Sequence, residues 1–194
     1  MKLIGIAGKS GSGKTTVAGF LTSALIDRGY RVDVDAIGAE IKRRARRDHG
    51  WDGRKDAAGR ALLQGLGAEG REVGGPPYWL DQMVRWHRGS DADYLIVSDV
   101  RFEAEAAQVR DGCAFVLQDK RDQCGVVWLV TGRGGLAGRA GQDPTELGVE
   151  EIRLDVADTE IRNGPGVTFE RLRDLVNQAV EDGRHDFDAI YPAD

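Results

Sequence analysis

Gly8-Lys9-Ser10-Gly11-Ser12-Gly13-Lys14-Thr15-Thr16 follows directly on the short apolar run Lys2-Leu3-Ile4-Gly5-Ile6-Ala7. The junction is a full GxxxxGK[ST] match between a strand-like segment and a helix-like one, whose apolar residues Val17, Phe20, Leu21, Ala24 and Leu25 recur at helical spacing. Small residues let successive backbone N–H groups turn inward as a nest around phosphate oxygens, and the following helix adds the positive end of its dipole. A bulky side chain at Gly8, Gly11 or Gly13 would obstruct that approach. Lys14 is then placed to reach β- and γ-phosphates, and the Thr15 hydroxyl to be a ligand of Mg²⁺. A Gly/Ser-rich turn can fit the pattern by chance, but the strand before it and the amphipathic run after it supply the context that a nucleotide-binding loop needs.

Outward from that loop, 194 residues suffice for one α/β domain with a sizeable core. A net charge of −5 gives no general field for holding nucleic acid, so a polyanionic ligand should be small and locally held. Cys113 and Cys124 are too few for a disulfide scaffold, and His49, His87 and His185 lack metal-ligand spacing. The N-terminal apolar run is too short for a signal or a membrane span, and no later stretch is long enough, so a cytoplasmic protein is expected.

Tyr30 to Val34 alternates like a short strand, with Asp35 at its end. In a parallel sheet the carboxyl ends of strands open onto the ligand crevice, so Asp33 or Asp35 could face substrate; Asp35 could equally cap the helix that starts after it. Ile37 to Arg47 reads as a helix whose basic end is a solvated face or a phosphate-steering patch. In the helical stretch Lys55 to Glu72, Arg60, Gln64, Gly67 and Arg71 share one narrow stripe beside Leu62, Leu63 and Leu66. Two guanidiniums and an amide thus point one way, as a site for a phosphate and a polar base edge requires. Glycines at 59, 65 and 67 weaken this helix unless another backbone or a ligand approaches closely. Trp79, Met83 and Trp86 form a core stripe on the helix Tyr78 to His87, and Trp79, next to the preceding loop, is the member nominated for ligand contact.

Asp93 to Asp99 is an apolar strand ending in an acid, the Walker B pattern, in which the carboxylate of Asp99 can hold Mg²⁺ directly or through water. Arg101 follows. Residues 103 to 111 read as a helix and Val126 to Val130 as a strand; Ala114 to Leu117 could be another strand. Glycines at 132, 134, 135, 138 and 141, with Arg133 and Arg139 among them, suggest a mobile lid rather than a linker. A polar helix is expected from Glu146 to Asp158, a short strand and turn at 159 to 164, and a closing helix from Thr168 to Asp182; the tail from Arg184 carries no signal.

Taken together, GKSGSGKTT, Gly50-Trp51-Asp52-Gly53-Arg54-Lys55-Asp56, Gly59 to Gly67 with Arg71, Ser98-Asp99-Val100-Arg101-Phe102 and Asn163-Gly164 resemble the bacteriophage deoxynucleoside monophosphate kinases, in the right order over most of the chain. The resemblance implies an adenylate-kinase-like fold that moves the γ-phosphoryl group of ATP onto a deoxynucleoside 5′-monophosphate. It implies that Gly8 to Thr16 hold ATP, that Arg60, Gln64 and Arg71 face the monophosphate, that Asp99 and Arg101 sit between metal and phosphates, and that Asn163 lies near the adenine. The chain departs from the family at Gln142 to Glu146, where a His-Ala-Ser-Glu-like stretch is usual, and in a longer segment from Cys113 to Gly125.

The expectation is therefore an α/β chain with a three-layer α/β/α P-loop kinase fold, forming a single domain over 1–194 around a mainly parallel five-stranded sheet. A helical substrate-binding insertion spans 36–90 and a lid about 131–145. Lys14, Asp99, Arg101 and Arg133 are the expected catalytic residues, with Thr15 and Asp99 as metal ligands. Gly8, Ser10, Gly11, Ser12, Gly13, Lys14, Thr15, Thr16 and Asn163 are expected to bind ATP, and Asp35, Arg60, Gln64, Arg71 and Trp79 the acceptor. ATP and Mg²⁺ are the expected cofactors and a deoxynucleoside monophosphate the partner, with no nucleic acid or membrane and with homodimerisation left open. The rivals are a kinase for another small metabolite, such as dephospho-coenzyme A or shikimate, a nucleotide-gated switch, and a degenerate kinase kept as a structural subunit. A guanine-specific switch would carry an Asn/Thr-Lys-x-Asp motif, which the sequence lacks, and a degenerate subunit need not keep Lys14, Thr15 and Asp99.

Overall fold

A computed structural model of the chain describes residues 1–112, 125–134, 148, 149, 152 and 157–190. Five parallel strands, β1 (Lys2–Ala7), β2 (Val32–Asp35), β3 (Tyr94–Val100), β4 (Val126–Thr131) and β5 (Thr159–Arg162), form one sheet in the order β2-β3-β1-β4-β5. β1 lies in the middle because its residues are apolar on both faces: Leu3 and Ala7 look to one side, Ile4 and Ile6 to the other, and all four are fully buried. The expected mainly parallel five-stranded sheet is what forms.

Helix α1 (Lys14–Ile26) packs beside α6 (Phe169–Glu181) on one face, through Val17, Leu21, Leu25, Leu172 and Val176 against Ile4, Ile96 and Trp128. Phe20 and Phe169 meet edge to face at 4.6 Å. The expected cap of the closing helix is present, Thr168 accepting the Arg171 N–H at 3.2 Å. On the other face lies α5 (Glu103–Arg110), whose Val109 packs where β1 has only Gly5.

Between β2 and β3 run α2 (Ile37–His49), α3 (Ala57–Gly74) and α4 (Tyr78–Trp86). Trp79, Leu80, Met83 and Val84 of α4 join the core on the α5 face, while Ala45, Trp51 and Leu66 form a small core of their own. α3 starts at Ala57 because Asp56 caps it, accepting the Gly59 N–H at 2.8 Å. Gly59 leaves room for the Arg54 carbonyl and the Trp51 indole, as close approach requires; nothing approaches Gly65. Gly70, which the periodicity did not single out, lies flat against the Trp79 ring.

One difference from the sequence pattern falls in α4, where Trp86, expected in the core stripe with Trp79 and Met83, is 63% exposed; the others fall late in the chain. In the stretch expected to be a polar helix, Gly148 and Val149 are helical but Ile152, Ala157 and Asp158 are not. The tail without a signal forms a one-turn helix α7 (Phe187–Ile190), and Lys2 is tied to Asp186 at 2.6 Å and Asp188 at 2.8 Å. The strand suggested at Ala114 to Leu117, Arg139 and the lid beyond Gly134 lie outside the described residues.

Candidate active site

Gly8 to Gly13 leaves the tip of the central strand and turns into α1. The turn needs left-handed backbone: φ is 149° at Gly8 and 100° at Gly13. A Cβ on Gly13 would stand 2.5 Å from Asn163 Nδ2, and that amide donates to the Ser12 carbonyl at 2.8 Å. Asn163, buried at the end of β5, thus braces the loop from outside. Lys14 is 8% exposed, its Nζ donating to the carbonyls of Gly8 at 2.5 Å and Lys9 at 2.7 Å. Ser10 and Thr16 are half-buried, Gly11 and the Thr15 side chain exposed. Ser12 is different: its Oγ is buried beside Gly8 with no hydrogen-bond partner among the described residues, while its N–H bonds the Lys9 carbonyl at 3.1 Å.

β3 runs beside β1, but the register slips: Gly5 pairs with Val97 and Ala7 with Val100, so two residues of β1 oppose three of β3. Such an irregularity re-aims side chains at a strand's tip. Asp99 is the residue re-aimed. Its Oδ1 accepts the Ile37 N–H at 2.6 Å and its Oδ2 the Gly38 N–H at 3.0 Å. Ala36, in the capping position of α2, has no side chain to do this, so Asp99 caps the helix from another strand. Asp35 bonds only the adjacent Ala36 N–H, at 2.7 Å, and is otherwise held by Arg43 at 2.9 Å and His87 at 3.2 Å. Burial opposes its charge, but these hydrogen bonds prevail and hold its carboxyl below the usual range. His87 also reaches Asp33 at 3.0 Å, whose carboxyl the Ser90 hydroxyl and His87 lower in the same way.

A cavity of about 690 Å³ opens between α2, α3 and the β3–α5 turn. The sequence-predicted stripe converges here: Arg60, Gln64, Gly67 and Arg71 line it together with Asp99, Arg101 and Trp79. Asp35 is absent from its lining, and Trp79 is a wall more than a free platform, being 1% exposed with Nε1 bonded to the Gly67 carbonyl at 3.1 Å. The lining also includes residues that periodicity did not reveal. Lys42 comes from the basic end of α2 and Lys55 from the loop before α3, making five cations against Asp99 and Glu105. Arg71 stacks over Phe102 at 5.2 Å. Glu105, 3% exposed, accepts the N–H groups of Arg101 at 2.8 Å and Phe102 at 3.2 Å through Oε2. Burial pushes its carboxyl up to about 7, with the charge of Asp99 adding to the effect and those two N–H groups opposing it. The available signal was its place as a first-turn acid of α5, a capping-box position.

The cavity and the loop meet at one point of the sheet. Ala7, the last residue before the loop, pairs with Val100, which lies between Asp99 and Arg101. Thr15 and Asp99 offer hard oxygen donors, each Asp99 oxygen keeping a lone pair beyond its α2 hydrogen bond. That donor set suits Mg²⁺, which takes one or two protein oxygens and keeps its waters; no group of three or more carboxylate, His or Cys ligands exists among the described residues. Arg133 is not drawn to this point: its guanidinium donates to the carbonyls of Gly164 at 3.3 Å and Val167 at 2.9 Å. A second groove, about 410 Å³, lies on the far side of Trp79 and is lined by Arg44, Arg47, Arg85 and Trp86.

No protein-family model and no curated protein sequence matches the chain. Among solved structures it is similar to a sugar kinase from Janibacter sp. HTCC2649, with 13% identity, 93% of this chain and 95% of that one covered and a TM-score of 0.50. An APS kinase from Mycobacterium tuberculosis (16% identity, 93% and 96% covered, TM-score 0.45) and a shikimate kinase from Acinetobacter baumannii in complex with shikimate (15%, 93% and 92%, 0.43) are also similar. The fold is the P-loop kinase type of nucleotide-binding fold. Among the described residues no helix is long and apolar enough to cross a membrane.

Proposed function

We propose that this chain is an ATP-dependent kinase whose acceptor is a deoxynucleoside 5′-monophosphate, giving the diphosphate. The observation that carries the reading is the convergence of Arg60, Gln64 and Arg71 with Asp99 and Arg101 on one cationic cavity, at the strand tip next to the phosphate loop. A phosphate dianion matches the guanidiniums of Arg60 and Arg71, and the Gln64 amide offers both a donor and an acceptor to a base edge.

ATP phosphates would displace the Gly8 and Lys9 carbonyls from Lys14, whose ammonium then serves the transferring group. Asn163 keeps Gly13 and the loop amides in place through Ser12. Thr15 and Asp99 would hold Mg²⁺, which would supply neutralisation of phosphate charge. The acceptor oxygen is already anionic, so the protein needs no strong base; Arg101 and Lys14 stabilise the charge spread over the equatorial oxygens as the two phosphates come into line.

A kinase for a hydroxyl acceptor is the second reading, favoured by one observation: the carboxyl of Glu105, pushed up to about 7, lines the same cavity and could accept a hydroxyl proton. A coupled ADP-release assay separates the two. The chain with Mg·ATP is offered each dNMP and NMP, dephospho-coenzyme A, shikimate, a sugar panel and no acceptor. Stimulation by a dNMP with dNDP as product supports the proposal; stimulation only by a hydroxyl acceptor, or slow release indifferent to all of them, removes it.

A further inference from the structure

Three features of one turn are joined by a single side chain. Arg101 enters the cavity from the segment between β3 and α5, Phe102 beside it carries the stacked Arg71, and Oε2 of the buried Glu105 accepts the backbone N–H of both. Among the described residues the other oxygen of Glu105, Oε1, has no hydrogen-bond partner. Phe102 offers α5 no side-chain oxygen for a cap, and its carbonyl is occupied by the Ala106 N–H, so the two N–H groups take their cap from Glu105, while Gly148 packs against the Phe102 ring and the Arg101 carbonyl.

We infer that Glu105 is a positioning residue for the acceptor. By fixing the peptide units of Arg101 and Phe102 it sets the aim of two guanidiniums, that of Arg101 directly and that of Arg71 through the Phe102 ring. The grip on an anionic acceptor then depends on a side chain that does not itself bind the phosphate. Its contribution comes from oxygen lone pairs rather than from negative charge, since a net charge there would oppose an anionic ligand. Gln at this position keeps a carbonyl oxygen on the same stem and should serve in its place.

This inference rests on the kinase reading for its kinetic test but not for its structural one. The experiment compares wild type, Glu105→Ala and Glu105→Gln, each checked by thermal melting, in two measurements: ¹⁵N-resolved amide exchange at Arg101 and Phe102, and steady-state kinetics with ATP and the best dNMP. In Glu105→Ala both amides should exchange about tenfold faster, KM for the acceptor should rise about tenfold and kcat should fall about three- to tenfold because Arg101 also serves the transferring group, with KM for ATP within about twofold; Glu105→Gln should restore each to within about threefold. Unchanged amide exchange in Glu105→Ala overturns the inference. So does faster exchange with an unchanged acceptor KM, which would make Glu105 a helix cap and nothing more, and so does a Gln variant that behaves as Ala. If no dNMP drives turnover of the wild type, the dNMP reading fails, and the acceptor KM is taken with whichever acceptor of the panel stimulates ADP release; if none does, the inference falls with that reading, and amide exchange shows only whether Glu105 caps the helix.

Discussion

Lys14 is held by the loop that it serves. Its ammonium sits on the carbonyls of Gly8 and Lys9, a local arrangement that Ala can vacate without opening the core, because those carbonyls border the phosphate site. Lys14→Ala should lower kcat by about 10³-fold or more while shifting unfolding free energy by no more than about 1–2 kcal/mol, read by the ADP assay and urea melts. Normal turnover in that variant would end the phosphotransfer reading. Glu105 makes the opposite kind of prediction, one of stability. Its carboxyl titrates near 7 in the fold against an ordinary 4.5, so folding takes up a proton between those values. Its stabilising share is present in full below about pH 4.5 and is lost as pH rises through 7, on the order of 3 kcal/mol in all. Glu105→Gln, neutral throughout, should match wild type near pH 4.5 and exceed it in stability at pH 8; urea melts with parallel pH slopes would contradict this.

At the scale of elements, Asp99 ties β3 to α2, and its two roles separate by substitution. Asp99→Asn keeps an oxygen for only one of the two α2 N–H groups, sets its NH2 against the other and loses the charge, so stability should fall by about 1 kcal/mol while Mg²⁺-dependent turnover falls at least about tenfold. Asp99→Ala loses the cap as well and should cost about 1–2 kcal/mol more, seen by thermal melting; equal stability of the two variants would show that the cap contributes nothing. This double role was only half legible in the sequence. An acid at the end of an apolar strand is a local pattern, as are the glycine loop and the 3.6-residue stripe of Arg60, Gln64 and Arg71. The slip between Gly5 and Val100 that turns Asp99 toward α2 depends on which strands pair, which no window around Asp99 contains. Lys42 was hidden for a similar reason: five Lys and Arg side chains look alike along a helix, and only packing against α3 decides that Lys42 lines the cavity while Arg44 and Arg47 line the groove behind Trp79. Arg133 was placed by composition, and a glycine-rich segment leaves its direction to whatever carbonyls lie near, here those of Gly164 and Val167.

On the scale of the whole molecule, a net charge of −5 surrounds a cavity with five cationic side chains. The attraction that guides a small anion inward is therefore local and should be screened readily. Raising ionic strength from about 0.05 to about 0.5 M should increase KM for the acceptor about three- to tenfold, and an acceptor KM indifferent to salt would argue that the arginines are not its main contacts. The order of the strands has another effect, on how the protein comes to exist. β1 precedes its partners in the chain, yet it ends in the middle of the sheet, and both of its edges wait for residues 94–100 and 126–131. At about 5–20 residues per second, a ribosome leaves that strand without neighbours for several seconds. During that time it is an apolar ribbon open on two sides, a natural target for chaperones that shield nascent chains.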